Sequence, residues 1–286
     1  MSTPPTEPLA CYLDGLAVKT DVFIGLQQTR AWNRGVFETM RWTGHALPLW
    51  SMHRERLERG LAQQGLILPE PADPAGVIRR SFAGQPCRIR LTVLPATAQA
   101  LSLLPADTRR HYPGIETAGL TVLSIHPLPE TRHSVRLLTA TEPHPFTEAS
   151  HSSVKSNNRA YYDTCFNYAR EQGFDDGILY DDRGYVSETC IANLLMLRGG
   201  ILCTPDPSTN PLQGVGLRWL AAHTTRETNP EPVLLTARAL CASDGVWIIN
   251  ALRGIVPVRT IRTHDTELTM RENPGLTRKL QAIFPF

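Results

Sequence analysis

Apolar and polar positions along the chain change period several times, and each change marks an element. Residues 8–26 alternate as short strands around Asp14-Gly15, a dipeptide suited to a hairpin turn, and Lys19 falls among the alternating positions. Residues 35–50 read as two strands about Thr43-Gly44. The period then lengthens: Leu57, Leu61 and Leu66 form a helical stripe behind Ser51, a candidate N-cap. A second helix is expected after Pro69, reaching about Phe82 and stopped by Ala83-Gly84. CRIRLTVL (87–94) returns to alternation. These elements predict a small α+β lobe over residues 1–110. The segment from 105 to 120 is rich in Pro, Gly and charge, so 111–122 are read as a connection and 123–286 as a larger lobe.

In that larger lobe, LTVLSIHPLP and SVRLLTATEP read as strands. EASHSSVKSNN (148–158) is a small, polar loop leading into a helix from about Ala160 to Gln172, which carries Tyr161, Cys165 and Tyr168 on one face. Asp181-Asp182-Arg183-Gly184 separates two β-rich runs as a hairpin turn does. ILCTP and VWII are further strands, PLQGVGLRWLAAHT is a glycine-opened helix, and NPGLTRKLQAIF is a capped terminal helix with Lys279 on its polar side.

Composition alters this picture in one respect. Of 29 basic residues in the 286, three are lysines: Lys19, Lys155 and Lys279. Arginine cannot replace lysine where an amine must deprotonate and form an imine, so imine chemistry has three candidates here. Lys19 and Lys279 read as solvated. Lys155 lies in a loop of Ser, His and Asn just before a helix, which suits either a surface lysine or a lysine beside a planar ligand. The formal net charge of +2 gives no field for a nucleic acid, and no apolar run is long enough to span a membrane. The polar, proline-rich start MSTPPTEPLA has no basic or apolar export segment, so a cytoplasmic protein with free thiols is expected. A metal-dependent hydrolase built from His144, His151, Asp175-Asp176 and Asp181-Asp182 is disfavoured, because those residues lack ligand spacing; no metal is expected.

Three further features carry possible chemistry. Glu188, at the end of a strand, could cap an amide, pair with an arginine, or face a pyridine nitrogen and hold it protonated. The Gly214-Val215-Gly216-Leu217-Arg218 helix start offers free N–H groups and a positive dipole end to a phosphate. His53-Arg54-Glu55-Arg56-Leu57 holds arginines that are either solvated or anion clamps. An amine, an acid for a ring nitrogen, and an anion cup with a cation are together what pyridoxal phosphate requires.

From about Gly35 to Val258 the sequence resembles the fold-type IV pyridoxal-phosphate enzymes, which include branched-chain and D-amino-acid transaminases and aminodeoxychorismate lyases. The motifs are GVFETMR, LWSMHRERL, KSNN, DDRGYVSETCIANL, GVGLR and NALRGIVPV, in order, with 33 positions from Lys155 to Glu188. The resemblance implies an α+β fold of two lobes, the larger with a β-barrel-like sheet, and the cofactor between them. It makes Lys155 the Schiff-base and proton-transfer lysine and Glu188 the partner of the pyridinium nitrogen. Arg56 and the amides of Gly216 and Leu217 would bind the phosphate, and the Asn250-Ala251-Leu252 turn would close the cup. At Asn33-Arg34-Gly35 the chain departs from the family's usual G-D-G.

Within the family, Arg159 four residues after the lysine and the NALRGIVPV turn resemble the lyases; branched-chain transaminases tend to carry there a tyrosine that contacts the ring hydroxyl, so the resemblance makes Arg159 a cofactor-binding candidate. The implied reaction releases pyruvate and forms 4-aminobenzoate, for folate synthesis. The alternative is a class IV aminotransferase acting on branched-chain or D-amino acids. Arg34, Arg88, Arg90 and Arg159 are candidates for substrate carboxylates, and Arg159 also reads as a salt-bridged helix-start residue. The resemblance further implies a homodimer with a small-molecule substrate. Borohydride reduction of cofactor-loaded protein is expected to fix the cofactor on Lys155; peptide mapping that finds it on Lys19 or Lys279 would remove Lys155 from this role.

Overall fold

A computed structural model of the chain describes residues 7–69, 73–104, 119–145, 154–224, 229–264 and 266–286. It divides into two compact units, residues 1–129 with 153–158, and residues 130–152 with 159–286.

The first unit is built on an antiparallel five-stranded sheet ordered β2-β1-β5-β4-β3, from β1 (Ala10–Leu13), β2 (Leu16–Val18), β3 (Val36–Trp42), β4 (Cys87–Pro95) and β5 (Gly119–His126). Asp14 (φ 46°) and Gly15 (φ 81°) both take the left-handed conformation that a two-residue hairpin needs. Lys19 is not on a strand; it is the N-cap position of α1 (Thr20–Gln27), which is followed by α2 (Arg30–Asn33). Helix α3 (Trp50–Gln63) buries His53, Arg56, Leu57, Gly60 and Leu61, a helical stripe that continues the predicted leucines. It starts one residue before Ser51, which lies in the first turn rather than at the cap. Helix α4 (Pro74–Phe82) is capped by Asp73, whose carboxylate accepts from Gly76 N at 2.8 Å.

Strand alternation splits the core of this unit. Val36, Met40, Trp42, Ile89, Leu91, Leu123 and Ile125 meet Leu57, Leu61 and Ile78 from α3 and α4. On the other face Leu13, Leu94, Leu120 and Val122 meet Phe23, Leu26 and Ala31 from α1 and α2, with Ala100 of α5 (Ala98–Ser102).

Strand β5 corrects the predicted boundary. The read connection, 111–122, and the start of the larger lobe at 123 both cut into a strand that pairs with β4 over eight residues and with β1 on its other side. An alternating segment does not encode which sheet it joins; cross-strand pairing decides that. Residues 105–118, with most of the predicted connection, lie outside the described residues.

The second unit contains a nine-stranded sheet. Its strands are β6 (Val135–Thr139), β7 (Asp176–Tyr180), β8 (Val186–Thr189), β9 (Asn193–Arg198), β10 (Ile201–Pro205), β11 (Glu231–Val233), β12 (Gly245–Asn250), β13 (Gly254–Arg262) and β14 (Glu267–Thr269). The order is β11-β10-β9-β12-β13-β6-β7-β8, with β14 on β13. The sheet curls until its ends meet: Val186 N, on β8, donates to Leu235 O just after β11 at 2.8 Å. Leu137, Ile178, Val186, Leu194, Met196, Ile248 and Val256 fill the interior of the curl. Helix α6 (Ala160–Glu171) packs Cys165 and Ala169 inward, close to the predicted span, while Tyr168 is exposed. Helices α7 (Val215–His223) and α9 (Pro274–Gln281) cover Leu195, Trp247 and Ile249 on the outer face, with the short α8 (Ala237–Cys241) between them in sequence.

At the start of β7, Asp176 is buried; Gly177 N donates to Oδ1 at 2.8 Å, but Oδ2 has no hydrogen-bond partner. The neighbouring Thr189 hydroxyl gives its proton to Ala192 O instead, at 2.9 Å. Burial pushes the Asp176 carboxyl up from 3.8 to about 6, against smaller opposing hydrogen bonds. Between these two values the folded state binds more protons than the unfolded state, so stability is lost as pH rises through the window. Asp176→Asn is therefore expected to exceed the parent in stability by roughly 2–3 kcal/mol at pH 7. The difference should vanish below about pH 4, as chemical denaturation at several pH values would show.

Candidate active site

Lys155 is held by backbone pairing on the open edge of the first sheet. Phe37 N donates to Lys155 O at 2.8 Å and Asn157 N to Gly35 O at 2.8 Å, around a bridge between Val36 and Ser156. The Asn157 side chain locks the segment: Nδ2 donates to Trp32 O at 2.9 Å and Oδ1 accepts from Arg90 Nη2 at 2.5 Å. Gly35 is required at this crossing, since a Cβ would stand 2.5 Å from Leu94 Cδ2 and 2.7 Å from Asn157 Nδ2. Lys155 Nζ lies 4.9 Å from the centre of the Phe37 ring, half-buried, and the Arg90 guanidinium lies 3.6 Å from the same ring. Lys155 is thus no solvated loop residue.

Behind the edge strand sits a buried charged group that includes Arg56. Glu38 accepts from Arg56 Nε at 2.7 Å and Nη2 at 2.6 Å, and its Oε2 is 2.7 Å from His53 Nδ1. Burial pushes the Glu38 carboxyl up, but the Arg56 charge and the His53 contact outweigh it and hold it down at about 2. Burial also lowers His53, so the imidazole is neutral and Nδ1 donates to Glu38. Any phosphate role for Arg56 is therefore shared with this bidentate pair. The alternation in GVFETMR carried the signal: Glu38 is an acid on the strand face that otherwise bears Val36, Met40 and Trp42.

The second unit contains a buried acid, Glu188, and an uncapped helix start at Gly214. Glu188, on β8, is 5% exposed; Tyr162 donates its phenolic proton to Oε1 at 3.1 Å, and Asn193 Nδ2 lies 3.4 Å from Oε2. Helix α7 begins at Val215 after Gly214, without a side-chain cap, so first-turn N–H groups face outward from the helix start. A Cβ on Gly216 would stand 2.8 Å from Asn250 C and 3.1 Å from Ala251 N, which brings the helix start against the β12–β13 turn. The Asn250 side chain shapes that turn, accepting from Leu252 N at 3.0 Å and Arg253 N at 2.8 Å. It leaves Ala251 to offer backbone only. Leu217 turns its side chain to the core under α7 and α9.

The other predicted residues scatter. Arg34 is exposed at the C-cap of α2, whereas Arg88 and Arg90 share one face of β4. Arg159 Nη2 donates to Cys190 O at 2.9 Å, Nε reaches Asp163 at 3.4 Å, and the guanidinium lies 4.9 Å from the Tyr162 ring centre. Of the residues considered for a metal, His144 Nε2 is 3.0 Å from Thr209 O, Asp181 holds Arg183, and Asp175 pairs with Arg132. His151 lies outside the described residues, and among the described residues no three His, Cys, Asp or Glu side chains cluster as metal ligands.

A model of the family described as Amino-transferase class IV matches residues 35–261. The chain belongs to the class IV aminotransferase family, the fold-type IV pyridoxal-phosphate enzymes. The Escherichia coli K12 branched-chain-amino-acid aminotransferase is 30% identical over 96 residues, which span 32% of this chain and 30% of that relative. The fold matches the Thermoproteus uzoniensis branched-chain aminotransferase solved with norvaline (TM-score 0.76, 20% identity, 96% of this chain and 93% of that one). It also matches a Legionella pneumophila protein solved as a candidate 4-amino-4-deoxychorismate lyase (TM-score 0.72, 20% identity, 98% and 94%). Taken unit by unit, the residues are of the types pyridoxal phosphate needs: the first unit has a half-buried amine beside an aromatic ring, and the second has a buried acid with donors on both oxygens and a helix start that admits no Cβ at Gly216.

Glu38→Gln is expected to lower stability at neutral pH by about 3–5 kcal/mol, because it strands a buried Arg56. A carboxyl held down in the folded state gives stability that is present above its unfolded value, 4.5, and is lost as pH falls towards about 2. Urea unfolding of the variant should show that fall flattened.

Proposed function

We propose that the protein is a 4-amino-4-deoxychorismate lyase, splitting its substrate into 4-aminobenzoate and pyruvate. The observation that carries this reading is a cationic patch on the first sheet. On the face away from α3 and α4, register puts Arg41, Arg88 and His126 in one cross-strand row and Thr39, Arg90 and Ser124 in the next. No acidic residue occupies either row. Arginines set opposite and diagonal to one another on neighbouring strands concentrate positive charge on this face, which suits an anionic ligand. Aminodeoxychorismate carries two carboxylates, whereas a branched-chain amino acid carries one and an apolar side chain that leaves such charges desolvated.

In this reading bound pyridoxal phosphate supplies a ring that withdraws the electron pair left at the amine-bearing carbon. Lys155 would hold the cofactor, and its Nζ, when free, would remove the proton from that carbon. Glu188 would keep a proton on the ring nitrogen. The amides of Gly216, Leu217 and Ala251 would hold the phosphate, and Arg56 would be a cation for it. Arg41, Arg88, Arg90 and His126 hold the substrate carboxylates. The bond from the substrate ring to the enolpyruvyl oxygen breaks, and its electron pair leaves with that oxygen. Lys155 Nζ then returns its proton to the enol methylene, so pyruvate departs and the remaining ring is aromatic. No water is consumed.

The second reading, a class IV aminotransferase of branched-chain or D-amino acids, is favoured by the match to the Escherichia coli enzyme. It shares the proton abstraction by Lys155. A cytoplasmic homodimer belongs to both readings, and sedimentation would check the dimer. Loaded enzyme given aminodeoxychorismate is expected to release equal amounts of pyruvate and 4-aminobenzoate. Arg88→Leu should raise KM about 10–100-fold, the worth of a hydrogen bond to a charged group. Rapid conversion to pyridoxamine phosphate by a branched-chain or D-amino acid, with no pyruvate from aminodeoxychorismate, would overturn the lyase.

A further inference from the structure

The surroundings of Glu188 contain more than an acid needs to stay buried. Tyr162 donates to Oε1 at 3.1 Å from one turn into α6. The Arg159 guanidinium lies 4.9 Å from the Tyr162 ring centre and is itself tied to Cys190 O at 2.9 Å, two residues beyond Glu188. Asn193 Nδ2 divides between Glu188 Oε2 at 3.4 Å and Leu212 O at 2.8 Å. Gly214, the N-cap of α7, passes so close that a Cβ there would collide with Asn193 Oδ1. The carboxylate of a glutamate turns about a broad, roughly two-fold torsion, so a donor on each oxygen fixes its plane.

We propose that Tyr162 and Asn193 are positioning residues for Glu188, and that Arg159 acts through Tyr162 rather than on a substrate carboxylate. The arginine of K-x-x-N-R then braces the phenol against the end of β8. Burial and the adjacent Glu188 charge raise the Tyr162 phenol well above its ordinary value, which keeps its proton in place and makes Glu188 always the acceptor. Loss of that donor leaves a buried carboxylate oxygen short of one hydrogen bond and frees its plane to rotate. The acid then meets a ring nitrogen in poorer geometry.

This inference rests on the assignment of Glu188 to the cofactor ring, and it holds for a lyase or an aminotransferase. The test uses full-length protein titrated with pyridoxal phosphate alone, read by the visible spectrum and the cofactor dissociation constant. Tyr162→Phe is expected to weaken cofactor binding about 5–10-fold and alter the bound-cofactor spectrum, while apoprotein melting stays near the parent's. In a Glu188→Gln background the same substitution should add nothing, because the coupling runs through Glu188. Arg159→Met should follow Tyr162→Phe in direction, lowering kcat with KM for the amine substrate within about two-fold; a KM raised tenfold at unchanged kcat would return Arg159 to substrate binding. Parent-like cofactor binding and spectrum in Tyr162→Phe, or full additivity with Glu188→Gln, would overturn the Tyr162 role. A parent protein that takes up no pyridoxal phosphate would instead sink the cofactor assignment itself.

Discussion

The pairing of Lys155 and Asn157 with β3 is the constraint on which the rest of the molecule turns. Two backbone hydrogen bonds, Phe37 N to Lys155 O and Asn157 N to Gly35 O, bring a six-residue segment back to a sheet formed by the first 129 residues. Without that pairing the backbone of the segment would be free to sample many conformations. With it, the segment is fixed and Lys155 Nζ lies 4.9 Å from the Phe37 ring centre. Gly35, Asn157, Trp32 and Arg90 all serve the same crossing, which explains why a glycine and an asparagine sit where larger or apolar residues would otherwise pack.

Buried charge is handled in two ways. Glu38 is enclosed with a bidentate arginine and a neutral imidazole, so that Coulomb attraction and hydrogen bonds together offset desolvation. Glu188 is buried with a phenol and an amide on its two oxygens, an arrangement that orients an acid and suits a further cationic partner such as a protonated ring nitrogen. Asp176, by contrast, carries an oxygen with no partner and answers by holding its proton to higher pH. Environment, more than residue type, sets what these three carboxyls do.

Much of this was legible in the chain. The stripe of α3, the Asp14-Gly15 hairpin, the helix from Ala160 and the glycine-opened α7 follow from side-chain periodicity and from turn residues that tolerate positive φ, both local properties. The motif order identified the family, and Lys155 stood out because so few lysines compete with it. Less legible were Tyr162 and Asn193, whose types are ordinary for a helix and a strand. Arg41 and His126 were invisible as partners of Arg88, since they lie on three strands whose register no single segment encodes.

Sequence by itself determined the family, the candidate lysine, the acid and the helix start, because these reside in residue identity and short-range spacing. Tertiary structure alone decided that β5 belongs to the first sheet, that Arg56 is bound to Glu38, and that Tyr162 donates to Glu188. Each of those contacts joins residues separated in the chain or facing one another only after packing. Their energies come from burial and from hydrogen-bond geometry, which exist only when the sheets have formed and water has been displaced.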